Sequence, residues 1–121
     1  MAGESLVQEE ARLCYFLKVD LTIKEGVEHW VKYNACSIRL IVRMQAELPT
    51  WKLIGGFSAI TGVPNTVMNI WQLRDANALL EGMLYFGENN RDYMELSACC
   101  LQQKQELFTS MRYNPICRNR L

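Results

Sequence analysis

The stretch Trp51–Leu73, WKLIGGFSAITGVPNTVMNIWQL, decides how the rest of the chain is arranged. In its first half Trp51, Leu53, Gly55, Phe57 and Ala59 alternate with Lys52, Ile54, Gly56, Ser58 and Ile60, so neither side of this strand is polar and both are expected to be covered. The segment Thr61–Asn65, TGVPN, has the glycine, proline and asparagine chemistry of a hairpin connection longer than two residues. A second strand, Thr66–Leu73, then places Val67, Asn69, Trp71 and Leu73 on one side and Met68, Ile70 and Gln72 on the other. The whole reads as a β-hairpin in mid-chain. Adjacent glycines weaken a strand unless a bulge, another backbone or a ligand requires them, and at Gly55-Gly56 a bulge or close packing is favoured over ligand contact.

Upstream, CYFLKVDLTIK from Cys14 to Lys24 alternates, with Tyr15, Leu17, Val19, Leu21 and Ile23 on one face and Phe16, Lys18, Asp20 and Thr22 on the other. It predicts a first strand ended by the turn at Lys24–Gly26. Val27–Glu47 predicts a helix whose apolar stripe is Val27, Trp30, Val31, Ile38, Ile41 and Met44, with Asn34 at its centre and His29 in its first turn, off the stripe. Pro49 stops it. Downstream of the hairpin, Asp75 is an N-cap candidate for a helix over Ala76–Phe86, with Leu79, Met83 and Phe86 on one face. Asn89 or Asn90 caps a continuation from Arg91 to about Lys104, in which Tyr93, Leu96, Cys100 and Leu101 face inward. A last strand, Gln105–Tyr113, places Leu107, Thr109, Met111 and Tyr113 together and is closed by Asn114-Pro115.

The order strand, helix, strand, strand, helix, strand is the split βαβ arrangement, an α+β, ferredoxin-like βαββαβ fold with a four-stranded antiparallel sheet and helices on one face. Apolar residues fall on both faces of the strands. The uncovered face would expose a large apolar patch unless a second copy covered it, which predicts a homodimer through the open sheet.

At 121 residues the chain suits one domain, expected over residues 14–115, with a polar lead-in at 1–13 and a tail at 116–121. Thirteen basic and thirteen acidic residues give a formal net charge of zero, which offers nucleic acid no electrostatic footprint. No apolar run approaches the length that spans a bilayer, so no membrane partner is expected. Glu4, Glu9 and Glu10 near the start have the wrong sign for a mitochondrial presequence and the wrong polarity for a signal peptide. Five cysteines, Cys14, Cys36, Cys99, Cys100 and Cys117, form an odd set without CxxC spacing and read as reduced thiols in a cytoplasmic protein. Neighbours on a helix point about 100° apart, so Cys99-Cys100 reads as two small buried hydrophobes rather than a redox pair. With His29 the sole imidazole, a metal site is not expected.

The run LIGGFSAITGVPNTVMNIWQL, followed by NNRDYMEL and MRYNP, resembles the NIPSNAP family within the dimeric α/β-barrel superfamily, and IKEG at Ile23–Gly26 resembles that family's strand ending in Lys-Pro-Gly. The likeness spans Phe16 to Pro115. Its most specific part pairs Gly55 and Gly62 with Val67, Ile70 and Trp71. It implies a dimeric barrel, no cofactor, and membership of a superfamily that includes cofactor-free monooxygenases, cyclases, decarboxylases and haem-degrading enzymes. Where the family commonly carries Arg and Tyr on the first strand this chain has Val19 and Leu21, and where it carries His before the tryptophan of the third strand this chain has Asn69. Either the family site is lost or a more hydrophobic ligand is bound.

A pocket on this scaffold lies between sheet and helices. Asn69 and Trp71 share a strand face, so an amide can orient a ligand on which an indole stacks; Trp71 also reads as a core anchor. Tyr33, Asn34, Tyr93 and Arg112 are further ligand-binding candidates, Arg112 reading equally as a strand-edge charge. By residue type His29 or Asp20 would move a proton while Asn69 polarises a carbonyl or enolate oxygen, although His29 also reads as a solvated helix residue. Two functions fit: a cofactor-independent tailoring enzyme (cyclase, isomerase or oxygenase) acting on a hydrophobic or aromatic small molecule, and a non-catalytic dimer binding such a molecule or another protein. The first is favoured.

Overall fold

The structure, a computed structural model, describes residues 14–88, 90–111 and 113. Seven elements follow in order: β1 (Tyr15–Ile23), α1 (Val27–Glu47), β2 (Trp51–Ser58), β3 (Thr66–Leu73), α2 (Asn77–Gly87), α3 (Arg91–Ala98) and β4 (Cys100–Thr109). The strands form one sheet in the order β2-β3-β1-β4, every neighbouring pair antiparallel. This is the ferredoxin-like α+β fold predicted from the alternations, with the second helical unit divided in two. The expected lead-in and tail at 1–13 and 116–121 lie outside the described residues.

Register explains which side chains meet the helices. In β1 the residues Leu17, Leu21 and Ile23 are buried, and their partners or near neighbours on β3 are Trp71, Val67 and Leu73. Burying such aliphatic side chains contributes roughly 1.5–3 kcal/mol each. The hairpin turn carries Gly62 at φ 92° and Asn65 at φ 59°, conformations that glycine and asparagine accept most readily. Asn65 is then tied on two sides: its carbonyl accepts from the Ile23 N–H at 2.8 Å, and its side-chain oxygen accepts from the Trp30 indole N–H at 3.2 Å.

A bulge between Leu53 and Gly55 leaves Ile54 as the extra residue of β2. The expectation of a bulge near the paired glycines is met, but its effect on the faces was not anticipated. Trp51 and Leu53 pair with Leu73 and Trp71 on the helix side, whereas beyond the bulge Phe57 pairs with Met68 and turns to the open side. Gly56, opposite Asn69, takes the helix-side place instead.

The stripe predicted for α1 holds at Trp30, Ile41 and Met44, which pack toward the core, and fails at its other three positions. Val27, Val31 and Ile38 are 77, 63 and 63 % exposed, and the buried residues are Tyr33, Cys36, Leu40 and Met44. Val31 and Leu40 are nine residues apart, about 900° of helical rotation, and so lie on opposite sides. The helix has two apolar arcs, and the ion pairs join the one that faces α3: Arg39 and Arg43 reach Asp92 at 3.3 and 3.0 Å, with Arg39 also 3.2 Å from Glu95. Asn34, at the centre of the expected stripe, is consequently exposed.

The second helical unit also differs. The Asn90 side chain caps α3 by accepting from the Tyr93 N–H at 3.0 Å, as expected, but the helix ends at Ala98 rather than near Lys104. Cys100 through Thr109 instead pair along β1, so the helix-prone run Gln102–Gln105 is strand and Leu101 is 67 % exposed. Propensity yields here to the open hydrogen-bonding edge of β1. In α2, Asp75 Oδ1 accepts from the Ala78 N–H at 3.0 Å, and the inward residues are Ala78 and Gly82, with Leu79 and Phe86 partly buried and Met83 exposed.

Cys36, Cys99 and Cys100 carry free thiols, whereas Cys14 is disulfide-bonded, which corrects the reading of five reduced cysteines. Among the described residues no helix is long and apolar enough to cross a membrane, and no three His, Cys, Asp or Glu groups gather as a metal site.

A Cβ added at Gly82 would run into the Trp51 ring. Gly82→Ala is therefore expected to destabilise the fold by about 1–3 kcal/mol despite alanine's better helix propensity, measured by urea unfolding. A stabilised variant would contradict the packing described.

Candidate functional site

A cavity of about 60 Å³ lies between the sheet and its helices. Its floor comes from alternate residues of three strands: Val19 and Leu21 on β1, Asn69 and Trp71 on β3, and Gln103 and Gln105 on β4. These share a face because Val19 pairs with both Asn69 and Gln105, and Leu21 with both Val67 and Gln103. Ser37, Leu40, Ile41 and Met44 of α1 form the roof, and Trp51, Phe86, Tyr93 and Leu96 complete the walls. A wider groove of about 360 Å³ adjoins it, lined by Leu79, Met83 and Gly87 together with Trp51, Phe86, Tyr93 and Gln105, which the two spaces have in common.

Aromatic packing shapes the walls. Trp51 meets Trp71 and Phe86 edge-on at centroid separations of 5.7 Å each, and Phe86 lies 4.8 Å from Tyr93. The Trp51 N–H donates to the Ala78 carbonyl at 2.7 Å, fixing the indole against α2. The Tyr93 hydroxyl donates to Gln103 Oε1 at 3.2 Å, and Gln103 Nε2 donates to the Ser97 hydroxyl at 2.9 Å. Asn69 projects over Gly56, where an added Cβ would stand 2.8 Å from Asn69 Oδ1. The glycine thus leaves room for the amide. Behind it the Tyr33 phenol is buried, and burial pushes its pKa above the usual value while the Asn69 amide opposes that shift.

Of the residues predicted for the site, Asn69, Trp71 and Tyr93 come together at the cavity, and Tyr33 stands beside Asn69. The others do not join them. Asp20 lies on the opposite face of β1, 3.4 Å from Lys18, and His29 donates from Nδ1 to the Glu25 carbonyl at 2.7 Å in an exposed first turn. Asn34 is exposed, its carbonyl accepting from the Ser37 hydroxyl at 3.0 Å, and Arg112 lies outside the described residues. Sequence reading missed Gln103, Gln105 and Ser37. Gln105 opens the predicted last strand, and Gln103 continues backwards the same alternation seen in Leu107 and Thr109, a pattern masked at Gln103 by its assignment to a helix.

Every residue lining the cavity is uncharged. Such a lining can bind, orient and exclude water, but it offers no carboxylate, imidazole or cation to a reacting group.

No family model and no curated protein matches the chain. Solved structures do. A NIPSNAP family protein from Agrobacterium tumefaciens superposes with a TM-score of 0.70 over 85% of this chain and 90% of its own, at 17% identity. The chain has the NIPSNAP fold. A NIPSNAP-like domain protein from Burkholderia xenovorans matches at TM-score 0.66 and 14% identity, covering 84% of this chain and 89% of its own. The fold also extends to SnoaB, a cofactor-independent oxygenase from Streptomyces nogalater, at TM-score 0.58 and 15% identity over 85% of this chain and 97% of that one. The resemblance seen in the hairpin and in NNRDYMEL is thus matched in three dimensions at the level of fold.

The Cys100 thiol bears on pH. Burial, reinforced by Cys99 and opposed by Lys24, pushes it from the ordinary 9.0 up to about 11. Because the folded value lies above the unfolded one, this contribution to stability is complete below pH 9 and is lost as pH rises through 11. Thermal midpoints are expected to fall between pH 9 and 11 and to fall less steeply in Cys100→Ala. Identical slopes would contradict the assignment.

Proposed function

We propose that this NIPSNAP-fold chain acts as a homodimer that binds a hydrophobic or aromatic small molecule between sheet and helices. The observation that carries the reading is the cavity lining itself: two indoles, two further aromatic rings and a few amides, without a charge, opening toward an apolar groove. Trp71 supplies a face or edge for an aromatic body, and Asn69 an amide that can both donate to and accept from it. The proton-moving roles considered for His29 and Asp20 are not part of this proposal, because neither lines the cavity.

Dimerisation is supported by the open side of the sheet. Phe57 and Phe108 are 53 and 45 % exposed there, and Phe16, directly opposite Phe108, joins them. Lys18 and Glu106 are cross-strand partners, as are Asp20 and Lys104, so these four charges pair off and Lys52, opposite Gln72, leaves the strand residues of this face with little net charge to repel a second copy.

A second reading, cofactor-independent turnover of the bound molecule, is supported by the likeness to the SnoaB oxygenase. With an uncharged lining, the protein would act by positioning its substrate and excluding water rather than by strong acid-base catalysis. The binding reading comes first because the lining supports it directly.

Replacing Asn69 or Trp71 by Ala is expected to weaken binding of an aromatic polyketide-like ligand about tenfold or more, read by calorimetry, while His29→Ala and Asp20→Ala leave it unchanged. Loss of binding in the latter pair would overturn the site assignment. Sedimentation at micromolar concentration is expected to give a dimer, shifted to monomer in a Phe57→Glu, Phe108→Glu double variant that retains its circular dichroism. A monomeric wild type would contradict the quaternary proposal.

A further inference from the structure

The hydrogen-bond chain at the cavity wall has a direction. Gln103 is held at both ends: its Nε2 donates to the Ser97 hydroxyl at 2.9 Å, leaving its Oε1 to face Tyr93 as an acceptor at 3.2 Å. A phenol has one proton and two lone pairs. With its proton committed to Gln103, the Tyr93 hydroxyl can offer a ligand only its lone pairs. Tyr93 and Gln103, whose side chains this bond joins, both line the cavity. Neither a lysine nor an arginine lines it to compensate a buried anion, and neither an aspartate nor a glutamate to compensate a cation.

We propose that Tyr93, oriented through Gln103 and Ser97, is a specificity-determining residue that selects uncharged aromatic ligands bearing a hydroxyl or N–H donor over their ethers and over carboxylates. The inference rests on the cavity being the binding site and adds which chemistry it admits. A hydroxyl proton satisfies the Tyr93 oxygen, whereas a methyl ether brings a second acceptor against it and leaves both unpaired. A carboxylate would surrender its hydration with no cation to replace it. The aromatic body extends into the groove beside Leu79 and Met83.

Calorimetric titration of the full chain with 1-naphthol, 1-methoxynaphthalene and 1-naphthoate tests this. The naphthol is expected to bind about tenfold more tightly than the ether, the size of one neutral hydrogen bond, with no detectable naphthoate binding. Tyr93→Phe should abolish the preference by weakening naphthol alone. Gln103→Ala, which frees the Tyr93 proton, should strengthen the ether and narrow the gap, an effect that loss of packing would not produce. Equal affinities for naphthol and ether, or naphthoate binding as tight as naphthol, would overturn the proposal even if Tyr93→Phe failed to fold. Trp71→Leu separates the two levels of the claim. If naphthol and ether bind equally and both are lost in that variant, the cavity is the site and only the selectivity fails. If naphthol and ether binding both survive it unchanged, the cavity reading fails and the selectivity with it.

Discussion

The hydrogen bond from the Trp51 indole to the Ala78 carbonyl, 2.7 Å long, is the contact on which the rest of the structure turns. It lies between the edge strand β2 and α2, and it works because Ala78 and Gly82 are small and one helical turn apart, leaving a flat surface for the ring. Once seated there, Trp51 presents its edges to Trp71 and Phe86 and becomes the wall common to cavity and groove. Thr50 reinforces the join by donating to Glu81 at 2.8 Å. A buried indole N–H without a partner would cost about 1–3 kcal/mol, so the carbonyl fixes the orientation of the ring as well as the position of the helix.

The two sides of the sheet have different tasks. Toward the helices the strands present buried aliphatic residues such as Leu17, Ile23 and Leu73, with the amides Asn69, Gln103 and Gln105 between them, and the cavity lies over these amides beside Trp71. Away from the helices they present phenylalanines among the ion pairs Lys18–Asp20 and Lys104–Glu106. The bulge at Ile54 belongs to both sides, because it turns Phe57 outward and brings Gly56 beneath Asn69. The paired glycines thus permit a register shift, and one of them leaves space for a polar group.

The alternations of β1 and β3 were legible because period-two patterning survives whatever packs above it, and the resemblance carried by the hairpin led to the same fold. The orientation of α1 was not legible. Two apolar arcs compete in its sequence, and the choice depends on contacts across the fold, among them those of Arg39 and Arg43 with Asp92 about fifty residues later. The start of β4 was hidden for a similar reason, since Gln102–Gln105 favours helix until β1 is present to pair with it. For the site, sharing a strand face sufficed to place Asn69 and Trp71 together. Residue type alone nominated His29 and Asp20, and type says nothing about direction; their neighbours Glu25 and Lys18 occupy them away from the cavity.

The central claim is that the space behind Trp71 receives a ligand, and the three indole N–H resonances test it most directly. Trp30 is bonded to Asn65 at the hairpin turn, outside the cavity lining, whereas Trp51 and Trp71 form its walls. On titration with a neutral aromatic ligand, a ¹⁵N correlation spectrum should show the Trp51 and Trp71 signals shifting together and the Trp30 signal unmoved. Shifts confined to Trp30, or none at saturating ligand, would contradict the account.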